Sequence, residues 1–200
     1  MNRIEFNRVF GRSVVTLFFG AVLASCGEVE VQKKAETSAG PFSSVTGGCV
    51  RDNTSGLMWE IKTADGGLRD WNKTYSNYDS TLSVQKYDSV NFVFVAPTQV
   101  DIDASSNSVS FQNVVNATNL CGFSDWRLPT LEELQSIVKP DQVPTIDATW
   151  FPNTHTSGYW SASPVAGFSG SAWFVNFDDK AALNSFRDLR MHVRLVRAGQ

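Results

Sequence analysis

The stretch CGFSDWRLPTLEELQSIVK, residues Cys121–Lys139, decides the fold. Pro129 disfavours the helical region for the residue before it, so Trp126-Arg127-Leu128 reads as extended chain. Thr130 then caps a helix, and Glu133 stands three positions on, the Thr-x-x-Glu spacing of a capping box. Glu132 and Glu133 sit in the first turn, where the positive end of the helix dipole favours acids. Leu131, Leu134, Ile137 and Val138 recur at helical spacing and give one apolar face. Pro140 stops the helix just after Lys139. The expectation is an extended lead-in followed by a helix of about two turns, docked by one face.

Around this stretch, 200 residues suit one domain behind a leader. Apolar content of 42% is enough for a core, and six Trp with fourteen Phe point to a small domain stiffened by large rings. Arg3, Arg8 and Arg12 precede an apolar run from Val14 to Ala24, too short to span a bilayer and right for a signal-peptide core. The run ends in Leu23-Ala24-Ser25-Cys26-Gly27. This resembles a bacterial lipobox, small residues before a cysteine that is lipidated and becomes the new N-terminus. An ordinary signal peptide cut near Ser25, with Cys26 incidental, is the alternative. By the same resemblance, Gly27 after the cysteine points to the outer membrane in a host with two membranes.

The expected organisation is a lipoprotein signal peptide over 1–25, a lipidated cysteine and flexible tether over 26–46, and a folded domain over 47–200. The tether reading rests on polar composition without apolar periodicity between Gly27 and Thr46. The leader removes three arginines and Glu5 from totals of 17 basic and 20 acidic residues, leaving 14 and 19, net −5. That balance argues against a general electrostatic grip on nucleic acid. The membrane is then reached only through the lipid.

If Cys26 is lipidated, Cys49 and Cys121 remain. Two cysteines left over in an exported domain usually pair; two free buried thiols are the alternative.

Within the domain, Asp52-Asn53-Thr54-Ser55-Gly56 is turn chemistry, and Leu57, Trp59 and Ile61 alternate after it, so a hairpin is expected. Residues 68–90 read as irregular and Val90–Val95 as a strand. Asp101-Ile102-Asp103 reads as a surface turn. A first helix is expected over about 111–119, packing Phe111, Val114, Val115 and Thr118 inward. Later strands are expected at Tyr159–Ser163, Ala172–Phe177 and His192–Arg197. An early hairpin, two helices and short strands make an α+β class.

Six segments in order carry a resemblance: Asp52–Glu60, Cys121–Val138, Phe151–Thr154, Tyr159–Ser163, Ala172–Phe177 and Val193–Arg197. Together they resemble the Lcl C-terminal domain family, named for the last domain of a bacterial collagen-like adhesin. The resemblance covers about residues 48–198. It implies a C-type-lectin-like domain with two helices and short, mostly antiparallel strands, remotely similar to the formylglycine-generating enzyme. Trp59, Trp126, Arg127, Pro129, Thr130, Glu133, Trp160, Trp173 and Arg194 are then motif residues of the scaffold. Residues 63–110 are longer and more irregular than the family pattern, and the Asp178-Asp179-Lys180 turn lacks its glycine.

The resemblance implies binding, and the residues agree. The Glu-Pro-Asn, Gln-Pro-Asp and Trp-Asn-Asp sets of calcium-dependent lectins are missing: Phe151 precedes Pro152, and Lys73 follows Trp71-Asn72. Formylglycine chemistry needs late cysteines, and none follows Cys121. His155 and His192 are the only histidines, and no nucleophile elbow accompanies them. No metal or cofactor is expected. Trp71, Tyr75 and Tyr78 either pin their loop or offer rings to a ligand; with Tyr87, Asp178 and Arg187 they are the candidate ligand-binding residues. Arg127 and Arg194 are expected to pair with acids such as Asp125. The expected function is non-enzymatic recognition or adhesion at the bacterial cell envelope, binding a glycan or an envelope or host protein. A structural envelope component docking another envelope protein is the alternative.

Overall fold

The computed structural model describes residues 40–80 and 84–199. The expected signal peptide, the lipidation at Cys26 and most of the tether lie outside these residues. The tether expected over 26–46 ends sooner than that, because Phe42–Val45 is a strand, β1. It pairs antiparallel with β2, Cys49–Asp52, and Phe42 tucks its ring against Trp150 and Phe151. One half-buried ring and a free neighbouring edge suffice to order a segment that looks polar.

The expected hairpin forms. The β2 strand turns at Asn53–Gly56 into β3, Leu57–Glu60, with Val50 opposite Trp59. Asp52 holds the turn by accepting from the Thr54 amide at 2.8 Å and the Ser55 hydroxyl at 2.6 Å. At the other edge of β3, Trp59 faces Val196 of β9, Val196–Ala198. The order β1-β2-β3-β9 therefore seals the beginning of the domain to its end.

A second sheet has the order β6-β7-β8. Its strands are β6 (Gly158–Val165), β7 (Phe168–Asn176) and β8 (Ala182–Phe186). A separate hairpin joins β4, Lys86–Asp88, to β5, Val93–Val95. The expected strand over 90–95 is thus shortened, because Phe92 takes φ 58° in the turn.

Among the described residues there are three α-helices where two were expected. α1, Gln99–Asp103, stands where a surface turn was expected, capped by Thr98 with Asp101 bonding back. α2, Ser108–Ala117, buries Phe111 and Val115, but Val114 and Thr118 face outward, contrary to expectation. α3, Leu131–Ser136, carries the full Thr130–Glu133 capping box. A 3-10 turn, Leu120–Gly122, precedes it.

The opening stretch is explained atom by atom. Glu133 accepts both Arg127 guanidinium nitrogens at 2.7 Å and the Thr130 amide at 2.8 Å. One carboxylate thus fixes both the extended lead-in and the helix start, a bidentate arrangement that favours arginine over lysine. The Arg127 backbone bridges Val196, and the Pro129 carbonyl accepts from the Ala162 amide. Leu134 and Ile137 then enter a core of Val50, Trp59, Ile146, Phe151, Tyr159 and Val175. Trp126 enters the other core, with Met58, Tyr75, Phe111, Trp160 and Leu195, donating its indole N–H to the Leu120 carbonyl at 3.1 Å. Cys49 and Cys121 are joined in a disulfide across this core.

Arg127 pairs with an acid as expected, Glu133, but neither it nor Arg194 takes Asp125. Asp125 accepts from Arg197, not from Arg127 or Arg194. Arg197 also lies 3.6 Å from the Phe123 ring centroid. Arg194, fully buried, donates to the Glu60 carbonyl at 2.7 Å and to the Thr154 hydroxyl at 2.8 Å. Beside it Lys62 donates to the Glu60 carboxylate at 3.0 Å, with both side chains shut from solvent. Burial pushes the Lys62 ammonium below its ordinary pKa, and Glu60 opposes that shift.

Candidate functional site

The rings of Trp71, Tyr75, Tyr78 and Tyr87 do not gather into one patch. Tyr75 and Tyr78 are buried. The Tyr75 backbone exchanges hydrogen bonds with Met191 at 2.8 and 3.1 Å, and its carbonyl accepts the Trp160 indole N–H at 2.9 Å. Burial pushes the Tyr78 hydroxyl up to about 12. These rings pin the irregular loop, the first of the two readings. Trp71 is half-buried and stacks on His155 at 4.2 Å; His155 stacks on His192 at 4.5 Å. Burial, with His155 adding to it, lowers His192 to about 4. The histidines thus belong to a ring column, with the Asn72 side chain on one and the Lys73 carbonyl on the other.

Tyr87 joins a different cluster. It meets Phe94 at 5.2 Å and Phe186 at 6.1 Å, and Phe94 meets Phe168 edge-on at 5.1 Å. Phe94 packs so close over Gly170 that a Cβ there would lie 2.5 Å from its ring, so this contact requires glycine. Beyond the cluster, the β4–β5 turn exposes Val90 at 82% and Phe92 at 77%. Asp178 lies in an exposed turn away from these groups; Arg187 is buried. Of the scaffold tryptophans, Trp59, Trp126 and Trp160 are buried and Trp173 half-buried.

What the irregular region does build is an open cleft of about 420 Å3. Its lining includes the buried rings of Tyr75 and Phe111, the hydroxyls of Ser105, Ser106 and Ser110, and the exposed Lys73 and Arg190. Both cations are exposed, and among the described residues neither enters an ion pair. Hydroxyls, ring edges and two available cations can hold a polar or anionic group without burying a charge. Arg187, Arg190, Arg194 and Arg197 stand close together in the sequence. Folding buries three of them in separate structural pairings and leaves Arg190 alone at the surface. Lys73 carried no sequence signal; its partnership with Arg190 is made only by the chain returning past Met191 to Tyr75. Among the described residues no three His, Cys, Asp or Glu side chains gather to hold a metal ion.

An N-terminal hairpin closed by the C-terminal strand, a helix fixed by Arg127 and Glu133, and a disulfide-stapled core define a small α+β domain with a cleft lined largely by its irregular segment. The chain belongs to the Lcl C-terminal domain family, whose model matches residues 48–197. Comparison with curated proteins returned no match.

Proposed function

We propose that this protein is a non-enzymatic recognition domain of the bacterial cell envelope. It is exported, anchored by a lipid on Cys26, and binds a glycan or protein ligand in the Lys73–Arg190 cleft. The architecture is C-type-lectin-like, with the β2–β3 hairpin closed by β9 as its frame. The cleft carries this reading: available cations, hydroxyls and ring edges converge there, most of them from the family-atypical segment. The ring column argues for binding rather than hydrolysis, since His155 faces Trp71 and His192 instead of a hydroxyl.

The test uses the mature chain with Cys26→Ser, on a glycan array and in a cell-adhesion assay. Binding is expected, and Lys73→Glu with Arg190→Glu should weaken it by about tenfold or more, a loss of about 1.4 kcal/mol. Silence in both assays overturns recognition; binding unchanged by the double reversal overturns the cleft. The anchor has its own test. Cys26→Ser should move the protein from the membrane to the soluble fraction, and continued membrane retention would refute lipidation.

One observation favours a second reading, a structural envelope component. The exposed Val90 and Phe92 at the β4–β5 turn offer an apolar tip to another envelope protein. Pull-down from membranes, with and without Phe92→Ser, separates the two readings: a partner lost with Phe92 and indifferent to Lys73 supports the second.

A further inference from the structure

Arg187 follows β8 and is 1% exposed. Its Nε donates to the Ser169 carbonyl at 3.0 Å and its Nη1 to the Asn77 carbonyl at 2.7 Å. Asp79 is the acid beside it, 3.3 Å from Nη1 and partly exposed. Nη2 is shut from solvent and has no hydrogen-bond partner. A guanidinium has five N–H donors, and one left buried and unpaired costs about 1–3 kcal/mol.

This side chain forms part of the wall of a cavity of about 180 Å3, distinct from the Lys73–Arg190 cleft. The volume equals roughly six water molecules at their liquid density. Val109, Leu128 and Ala162 give the cavity an apolar lining. The other polar groups are mostly committed: the Ser108 hydroxyl donates to Asn77, and Arg127 is held by Glu133. Gln112 also lines the cavity, and its amide makes no hydrogen bond among the described residues. The first turn of the ten-residue helix α2, at Ser108 and Val109, adds the positive end of its dipole.

We propose that this cavity is a binding site for a compact carboxylate, held against the Arg187 guanidinium with Gln112 as its second polar contact and a short aliphatic body on Val109, Leu128 and Ala162. The charge balance favours a monoanion, because Asp79 already neutralises part of the guanidinium and would repel a dianion. The site does not depend on the cleft or on the adhesion reading. The carboxylate can be a free small acid or the terminus of a peptide, and the test separates these.

The full mature chain is titrated with propionate, propionamide and N-acetyl-alanyl-alanine while backbone amide NMR shifts are followed. Propionate should saturate with a dissociation constant of about 1 mM, moving the amides of Ser108, Val109, Gln112 and Ala162. Neutral propionamide should bind about tenfold more weakly or worse. Arg187→Gln risks misfolding, so the deciding variants sit at the rim. Ala162→Trp should fill the exposed mouth and abolish the shifts, and Gln112→Glu should weaken propionate by about tenfold. A tighter constant for the acetylated dipeptide assigns a peptide terminus, and a weaker one a free acid. Equal binding of propionamide and propionate, an Ala162→Trp chain that titrates like the parent, or no saturation by either carboxylate overturns the proposal.

Discussion

Glu60→Gln is expected to be the most damaging single change in the domain, costing about 3–5 kcal/mol, the usual penalty for breaking one side of a buried ion pair. Glu60 is fully buried in β3 and works on three sides. Its Oε1 accepts from the Lys62 ammonium at 3.0 Å and its Oε2 from the Leu195 amide at 3.0 Å, while its carbonyl accepts from Arg194 at 2.7 Å. Removing the charge strands Lys62, which is 1% exposed and already disfavoured by burial, next to a second buried cation. Domains of this size hold about 5–15 kcal/mol in total, so much of the stability would go. Lys62→Met should cost less, because Arg194 remains near the Glu60 carboxylate. The double variant should recover most of the loss, as buried pairs replaced together by neutral side chains often do. Urea unfolding of the three variants measures this. A Glu60→Gln midpoint equal to the parent's, or strict additivity of the two changes, would show that the pair does not hold the β3–β9 seam.

The elements legible in the sequence are those whose signals are local. Thr130 and Glu133 lie three residues apart, and the Asp52–Gly56 turn lies between two adjacent strands; the capped helix start and the hairpin form as read, but the helix ends at Ser136, short of the stop expected after Lys139. The misses have a common cause, because their partners are far away in the chain. β8 carries weak alternation and is a strand only because β7 pairs with it from Ser171–Phe186 to Val175–Ala182. α1 has five residues, too few for periodicity, and its Thr98-x-x-Asp101 box uses Asp in place of the commoner Glu or Gln. Tyr75 and Tyr78 sit in polar company, yet Met191 and Trp160 draw the first inward, and the Asn107 side chain holds the Tyr78 amide at 3.0 Å and its carbonyl at 3.0 Å. Asn107 also donates to the Ile102 carbonyl at 2.9 Å, so one buried amide organises the irregular segment. Arg187 reaches Asn77 across 110 residues. A candidate site built from such returns of the chain leaves little mark on any single window of sequence, which is why the cleft and the Arg187 cavity emerge only with the fold.

Opening the Cys49–Cys121 bond is expected to cost about 4 kcal/mol, the chain-entropy value for its 72-residue loop. The bond joins β2 to the 3-10 turn ahead of the Trp126–Pro129 lead-in, and within its loop lie the β4–β5 hairpin and helices α1 and α2. That enclosed segment builds much of its order from side-chain pins rather than long ladders, so its chain entropy is the larger opposing term. Gly47 shows how close the two ends approach: a Cβ there would lie 3.2 Å from the Cys121 sulfur, and its φ of 101° is one that other residues resist. The paired Cys49→Ala, Cys121→Ala variant avoids a lone buried thiol. It should unfold at lower urea with a steeper dependence on denaturant, since the uncrosslinked unfolded chain exposes more surface. Hydrogen exchange should localise the remaining weakness: amides of residues 61–98 should lose protection before those of β6 and β7. Because Lys73 comes from this segment and Arg190 from outside it, ligand capture at the cleft should weaken before the domain unfolds. An unchanged urea midpoint would show that the buried ring pins alone close the loop; lost stability with intact cleft binding would uncouple the staple from the site.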